Sequence, residues 1–495
     1  MRIRKDHIMS TRRKFMGSMA GMGAALSQGT ATAQTNRPEF TGPLVKEKLP
    51  KEIETTDPNG LNIIVIVADT FRWDYLGFTS NGRIKTPNLD ALAEEGVYFD
   101  NCYADGLPTI PSRRVMHTGR SIMPDRKKWR PLENTDITFA EITGKAGFTT
   151  GFIVDTFHHF KPGMNLHRGF DNWVWIRGQE SDPYKSGPRN TVNPDDYTPE
   201  HLQNDYYRDR IMQYILNTKD RKSEEDYFCA QSCNAASQWI GENKDNDGPF
   251  MMFIDMFDPH EPWDAPPRFQ KMYRKKYPLD RYIFGYGVNM EDIREEDYPI
   301  LRDLYAAEVT YSDYCIGKLI DSVKSMGLWD NTIIVFSTDH GTHLGEQGCV
   351  QKQAKLLNSC IGRVPLIIRH PDKSSRGKRV DALTSHMDFT PTFLSMLGVD
   401  CNVLFDGQNM WDLVTGAEAK LRDHAITGYG NFGSIHTDKW HYLQNVWGKD
   451  PGLGPQLYDV VSDHGETKNV IDNHPDVVAD LKPKLEEAFV EKGEG

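Results

Sequence analysis

The amino-acid sequence predicts an α/β protein with a mainly parallel central sheet flanked by helices and a smaller C-terminal α+β subdomain. Three observations carry that reading. Short, nearly continuous apolar runs bounded by turn residues recur through the first 370 positions, as expected of strands buried on both faces. Segments of helical periodicity lie between them, and alternation of strand and helix is the mark of a layered α/β sheet. Beyond about residue 400 the apolar runs shorten and the alternation stops.

The run 61–68 (LNIIVIVA) is β-branched almost throughout and stops at Asp69. Similar runs occupy 151–154, 250–254, 332–336 and 364–368, and helices are expected around 88–97, 200–218, 300–326 and 387–397. Such sheets place ligands at the carboxyl ends of their strands. Asp69, Asp339 and His340 stand at those ends. Short strands at 425–427 and 440–443, the segment 456–459 and a charged helix at about 475–491 make up the C-terminal part. The chain therefore divides into a linker or extended arm over 34–59, a main catalytic domain over 60–400 and a subdomain over 401–495.

The first 33 residues are expected to lie outside the fold. A basic start, Arg12-Arg13, a short Gly- and Ala-rich stretch over 16–27 and Ala31-Thr32-Ala33 together have the form of a twin-arginine signal peptide. The apolar stretch is well short of the roughly 20 residues that span a bilayer, so the expectation is a periplasmic or secreted protein with no membrane span. Removing residues 1–33 takes away six Lys/Arg and one Asp and moves the formal net charge from -12 to about -17. So acidic a chain is a poor nucleic-acid binder. The seven cysteines have no metal-ligand rhythm and read as buried free thiols, although an oxidising compartment leaves room for one or two disulfides.

Thr109-Ile110-Pro111-Ser112-Arg113, continuing to Thr118-Gly119-Arg120, resembles the active-site signature of the sulfatase branch of the alkaline phosphatase superfamily. That signature begins with Cys or Ser, which is oxidised to formylglycine. Here the first residue is Thr109, whose β-carbon carries a methyl group, so oxidation would give a ketone. The resemblance therefore implies a sulfatase-like fold with Thr109 as an unmodified hydroxyl nucleophile, and other branches of that superfamily do use Thr or Ser in this way.

The resemblance also implies a divalent metal held by Asp69, Thr109, Asp339 and His340. Calcium sulfatases commonly have Asp-Asp where this chain has Asp69-Thr70, and Asp-Asn where it has Asp339-His340. Losing a carboxylate and gaining an imidazole favours Mn or Zn, with Ca as the alternative. Arg113 is the signature arginine, Lys352 matches a lysine of the following loop, and His260 in Asp258-Pro259-His260-Glu261-Pro262 matches a histidine that meets the ester. At the second sulfatase element the chain departs from the pattern. Asp155 replaces a sulfate-contacting lysine, and the histidine is displaced to His158 or His159. A fixed negative charge at Asp155 would oppose dianionic esters. These readings point to sulfate ester hydrolysis on a small-molecule or carbohydrate substrate. The alternatives are a phosphodiesterase or phosphonate monoester hydrolase, and a catalytically silent carbohydrate-binding protein. Trp129, Trp173, Trp175, Trp263 and Trp440 are candidate sugar-stacking walls, and the basic cluster 126–130 is a candidate contact for acidic substrates.

Overall fold

The computed structural model describes residues 52–490 apart from 124–128, 162, 189–191 and 449–451. The expected signal peptide, most of the arm and the first part of the basic cluster lie outside the described residues.

The central sheet contains β1 (Asn62–Ala68), β2 (Val97–Tyr103), β3 (Thr149–Val154), β4 (Asn172–Trp175), β5 (Phe250–Met256), β6 (Thr332–Ser337), β7 (Arg363–Arg369), β8 (Lys378–Val380) and β9 (Thr384–Ser385). Its order is β8-β2-β7-β6-β1-β5-β3-β4, with β9 pairing β2. All pairs are parallel except those of β7, which runs against both β6 and β2. The five strands read as apolar runs form the centre, where helices cover both faces and no polar face is needed. β1, for example, is buried at every position. One apolar layer packs Ile64, Ile66, Phe336 and Ile254 against the helices Phe228–Asn243 and Asp297–Ser325. The opposite layer packs Ile63, Val65, Phe253 and Val335 with the helix Phe389–Met396.

The C-terminal sheet consists of β10 (Ala425–Tyr429), β11 (Phe432–His436), β12 (Trp440–Asn445) and β13 (Gln456–Asp459), covered by the helix Pro475–Ala488. It is not drawn wholly from residues beyond 400, because the short strand Gly106–Leu107 pairs in parallel with β10. That strand leads directly into the helix Thr109–Thr118, so the second sheet helps to fix the segment carrying Thr109. All seven cysteines are free, and all but Cys401 are buried. No described helix is long and apolar enough to cross a membrane.

Candidate active site

Four buried carboxylates gather where four neighbouring strands end. Asp339 follows β6, Asp69 follows β1, Asp255 lies in the last turn of β5 and Asp155 follows β3. Parallel neighbours in register bring their ends to one edge, so residues distant in sequence converge.

The helix Thr109–Thr118 carries the groups that face this edge. Thr109 is its first residue, only 4% exposed, where unpaired backbone N–H groups and the helix dipole favour an anion. One turn on, the Ser112 hydroxyl donates to the Asp339 carbonyl at 2.9 Å and lies 3.1 Å from His386 Nδ1, which pins the helix to the loop after β6. Arg113 is fully buried. Its Nε and Nη2 donate to the two oxygens of Asp255 at 2.8 and 2.7 Å, its Nη1 bonds Asp339, and Nη2 stands 3.0 Å from Asp69 Oδ2. Three carboxylates around one guanidinium leave two negative charges in excess. Burial, reinforced by Asp339, raises the Asp69 carboxyl well above the carboxylate range. Burial likewise opposes ionisation of Asp339, but Arg113, His340 and the Thr70 N–H bond together outweigh it and hold that carboxyl low.

Asp69, Asp339 and His340 offer ligand atoms that all lie within 4.8 Å of one another. In these residues Asp69 Oδ2 and His340 Nε2 are buried without a hydrogen bond, although Asp69 Oδ2 keeps its ion pair with Arg113. His340 Nδ1 lies 2.8 Å from the Gly341 carbonyl, which assigns the ring proton to Nδ1. Nε2 then turns a lone pair toward Asp339 Oδ2 at 3.2 Å. Facing lone pairs beside a carboxylate oxygen without a hydrogen bond fit a divalent cation.

His260 and Lys352 form a second group. Lys352 Nζ stands 2.8 Å from His260 Nε2 and donates to Glu261 Oε1 at 2.8 Å, while His260 Nδ1 lies 2.6 Å from the Glu261 carbonyl. With its proton on Nδ1, the imidazole accepts from the ammonium. Burial and the Lys352 charge lower its pKa well below that of free histidine, so it stands neutral.

The short helix Phe157–Phe160 separates the two candidate histidines of the second element. His159 Nε2 reaches Asp255 Oδ2 at 3.2 Å and so touches the Arg113 cluster. His158 turns outward, with Nε2 3.5 Å from Glu180 Oε2 and its ring edge-on to Trp129 at 5.1 Å. Asp155 is not the fixed anion expected. Burial, reinforced by Asp258, raises its pKa well above the carboxylate range, and its Oδ1 accepts from the Phe257 N–H at 2.6 Å. Burial thus favours its neutral form. Trp263 is wholly buried and belongs to the core.

Asp255 escaped sequence reading because it falls inside an apolar strand. Its only signal is a lone carboxylate in the last turn of a run otherwise buried on both faces. Glu180, buried with a positive φ of 49°, lies in a loop with no pattern to mark it.

The sulfatase family model matches residues 61–399, and the N-sulphoglucosamine sulphohydrolase C-terminal model matches residues 345–491. The chain belongs to the sulfatase family. It is 26% identical over 470 residues to an N-acetylglucosamine-6-O-sulfatase of Bacteroides thetaiotaomicron, covering 79% of this chain and 78% of that one. Among solved structures, the phosphonate monoester hydrolase of Agrobacterium radiobacter superposes with a TM-score of 0.67 at 21% identity, covering 86% of this chain and 95% of that one. A protein in complex with its substrate D-glucosamine-2-N,6-O-disulfate superposes at 0.66 and 21% identity, covering 87% and 96%. At these identities the structural matches establish the fold. Family membership makes the chain a sulfuric ester hydrolase, with phosphonate monoester hydrolases as related enzymes.

Proposed function

We propose that the protein is an exported, metal-dependent hydrolase of sulfate monoesters on a small-molecule or carbohydrate alcohol, with Thr109 as an unmodified nucleophile. The observation that supports it most directly is the pair of atoms without a hydrogen bond, Asp69 Oδ2 and His340 Nε2, at the strand ends that Arg113 ties to the helix headed by Thr109. Asp69, Asp339 and His340 would hold the ion, with Thr109 adjoining it, and one imidazole among the ligands favours Mn or Zn. A bound divalent ion supplies charge stabilisation to the ester oxygens and favours ionisation of a neighbouring hydroxyl.

The protein groups do the rest. Arg113 fixes Asp339 and Asp69 and balances part of their charge. Thr109 gives its hydroxyl proton up to solvent, its Oγ bonds to sulfur as the S–O bond to the alcohol breaks, and the departing oxygen takes a proton held at Lys352 Nζ next to His260. Water then hydrolyses the threonine sulfate. His158 stands farther out, on the side of the leaving alcohol.

His340 and the absence of a lysine at position 155 also suit phosphonate monoesters and phosphate diesters, which are singly charged like sulfate monoesters. Turnover of matched aryl sulfate, phosphonate, phosphodiester and phosphomonoester substrates decides between them. Sulfate is expected to lead, and a preference for the phosphomonoester would overturn the reading. Intact mass should show Thr109 unoxidised, and Thr109→Ala should lower kcat by several orders of magnitude. Activity retained in that variant would remove Thr109 from the chemistry.

A further inference from the structure

The short helix that brings His159 to the Arg113 cluster and turns His158 toward Glu180 also carries Phe160, which opens onto an aromatic surface. Phe160 stacks on Trp175 with ring centroids 4.8 Å apart and 20° between planes, leans on Trp173 at 4.9 Å and stacks on His167 at 5.5 Å. Trp173 and Trp175 are two apart on β4 and so share one face of the strand. β4 ends the central sheet, pairing only with β3 among the described residues. The series continues outward, with the Arg177 guanidinium 4.1 Å from the Trp175 ring and 5.2 Å from that of Tyr184. Trp173 is 45% exposed and Tyr184 49%.

Packing accounts for Phe160 and Trp175, which are partly buried, but not for Trp173 and Tyr184 left this open at a sheet edge. The apolar C–H faces of pyranose rings stack on such a surface while their oxygens seek donors at its margin. Cations stand there: Lys161 lies over Phe157 at 4.8 Å and Lys185 near Tyr184 at 5.9 Å. Arg177 and Lys185 retain the carboxylate partners Asp182 and Asp220, which orders them without removing their positive character. Rings edged by cations suit an anionic glycan better than a neutral one.

We infer that the Phe160–Trp173–Trp175 surface is a glycan-binding platform, continuous with the reaction centre through the helix Phe157–Phe160, that holds further sugar rings of a sulfated polysaccharide. It extends the hydrolase reading to a polymeric, sulfated substrate and rests on that reading for its purpose.

Native affinity electrophoresis through gels containing dextran sulfate or unsulfated dextran tests it on the full chain. Dextran sulfate should retard the wild type and dextran should do so far less. Trp173→Ala and Lys161→Ala should each weaken the retardation about fivefold, while Trp173→Phe, which keeps a ring, should restore most of it. Wild-type and Trp173→Ala proteins retarded equally, or a wild type not retarded at all, would overturn the platform. So would loss of a dimer in Trp173→Ala with retardation unchanged, which would mean that a second copy of the chain covers these rings. Wild-type turnover of a small aryl sulfate judges the hydrolase reading separately, since that ester is too small to reach β4.

Discussion

Arg113 is the residue on which the site's electrostatics turn, because its guanidinium hydrogen-bonds Asp255 and Asp339 and pairs with Asp69, three carboxylates that could not otherwise be buried together. Removing one partner from a buried ionic cluster typically costs about 3–5 kcal/mol, since the remaining charges are left uncompensated. Arg113→Ala should therefore lower stability by roughly that amount in denaturant unfolding as well as abolish turnover. Lysine keeps the charge but lacks the planar fork. Arg113→Lys should fold better than Arg113→Ala and still lose on the order of a hundredfold or more in kcat. Equal activity of Arg113→Lys and wild type would show that charge alone suffices. Asp155 makes the complementary case. Burial favours the neutral acid at Asp155, which is nearly isosteric with an amide, so Asp155→Asn should change stability at pH 7 by no more than about 0.5 kcal/mol. Asp155→Lys should destabilise strongly, because a long side chain with a charged end replaces a short acid at a fully buried position.

At the scale of elements, the sequence was informative wherever burial on both faces forced a continuous apolar run. β1, β3, β5, β6 and β7 all fall on runs read in that way, and the helices Pro87–Glu95, Asp297–Ser325 and Phe389–Met396 lie within a few residues of their expected positions. β2 was illegible because Asp100 and Asn101 interrupt it, and β4 because an edge strand of four residues has little burial to shape its composition. The reversed direction of β7 leaves no trace in composition, since a strand buried on both faces reads the same either way. Asp69, Asp339 and His340 were legible because they terminate recognisable runs. Asp255 and Glu180 were not, because their roles depend on register and on loop geometry. Gly341 shows what local geometry adds to the motif around His340. A β-carbon there would lie 1.9 Å from the Cys360 carbonyl oxygen, on the very stretch where the Gly341 N–H donates to the Ile361 carbonyl at 2.9 Å. Gly341→Ala must push the two backbones apart at a cost of about 1–3 kcal/mol and displace His340 with them. It should bind its divalent ion more weakly than wild type in a chelator competition, although no ligand is changed. Unaltered affinity would show that the loop yields elsewhere.

For the whole molecule, the question is how the C-terminal sheet is held against the domain that carries the chemistry. Glu466, buried and in a positive-φ conformation, joins them. One oxygen accepts from the Ser359 N–H at 2.8 Å, and the other meets the Ser359 hydroxyl at 2.5 Å and His441 Nδ1 on β12 at 2.7 Å. Ser359 opens the short helix Ser359–Gly362 that runs directly into β7, so a single carboxylate ties the second sheet to the central one. Burial pushes the Glu466 carboxyl up, but His441 and the Ser359 bonds more than offset it and hold the group below its ordinary value of 4.5. A carboxylate whose folded pKa is depressed contributes stability that is fully present above the unfolded pKa and is lost as pH falls through the folded one. Wild-type stability should thus decline below about pH 4.5 with a contribution from this residue. Glu466→Gln, which keeps the shape but not the charge, should lose about 1.5–3 kcal/mol at pH 7 and show a shallower fall toward acid. Denaturant unfolding at pH 7 and pH 4 for both proteins measures this directly, and parallel declines would show that the tie between the sheets does not depend on the charge of Glu466.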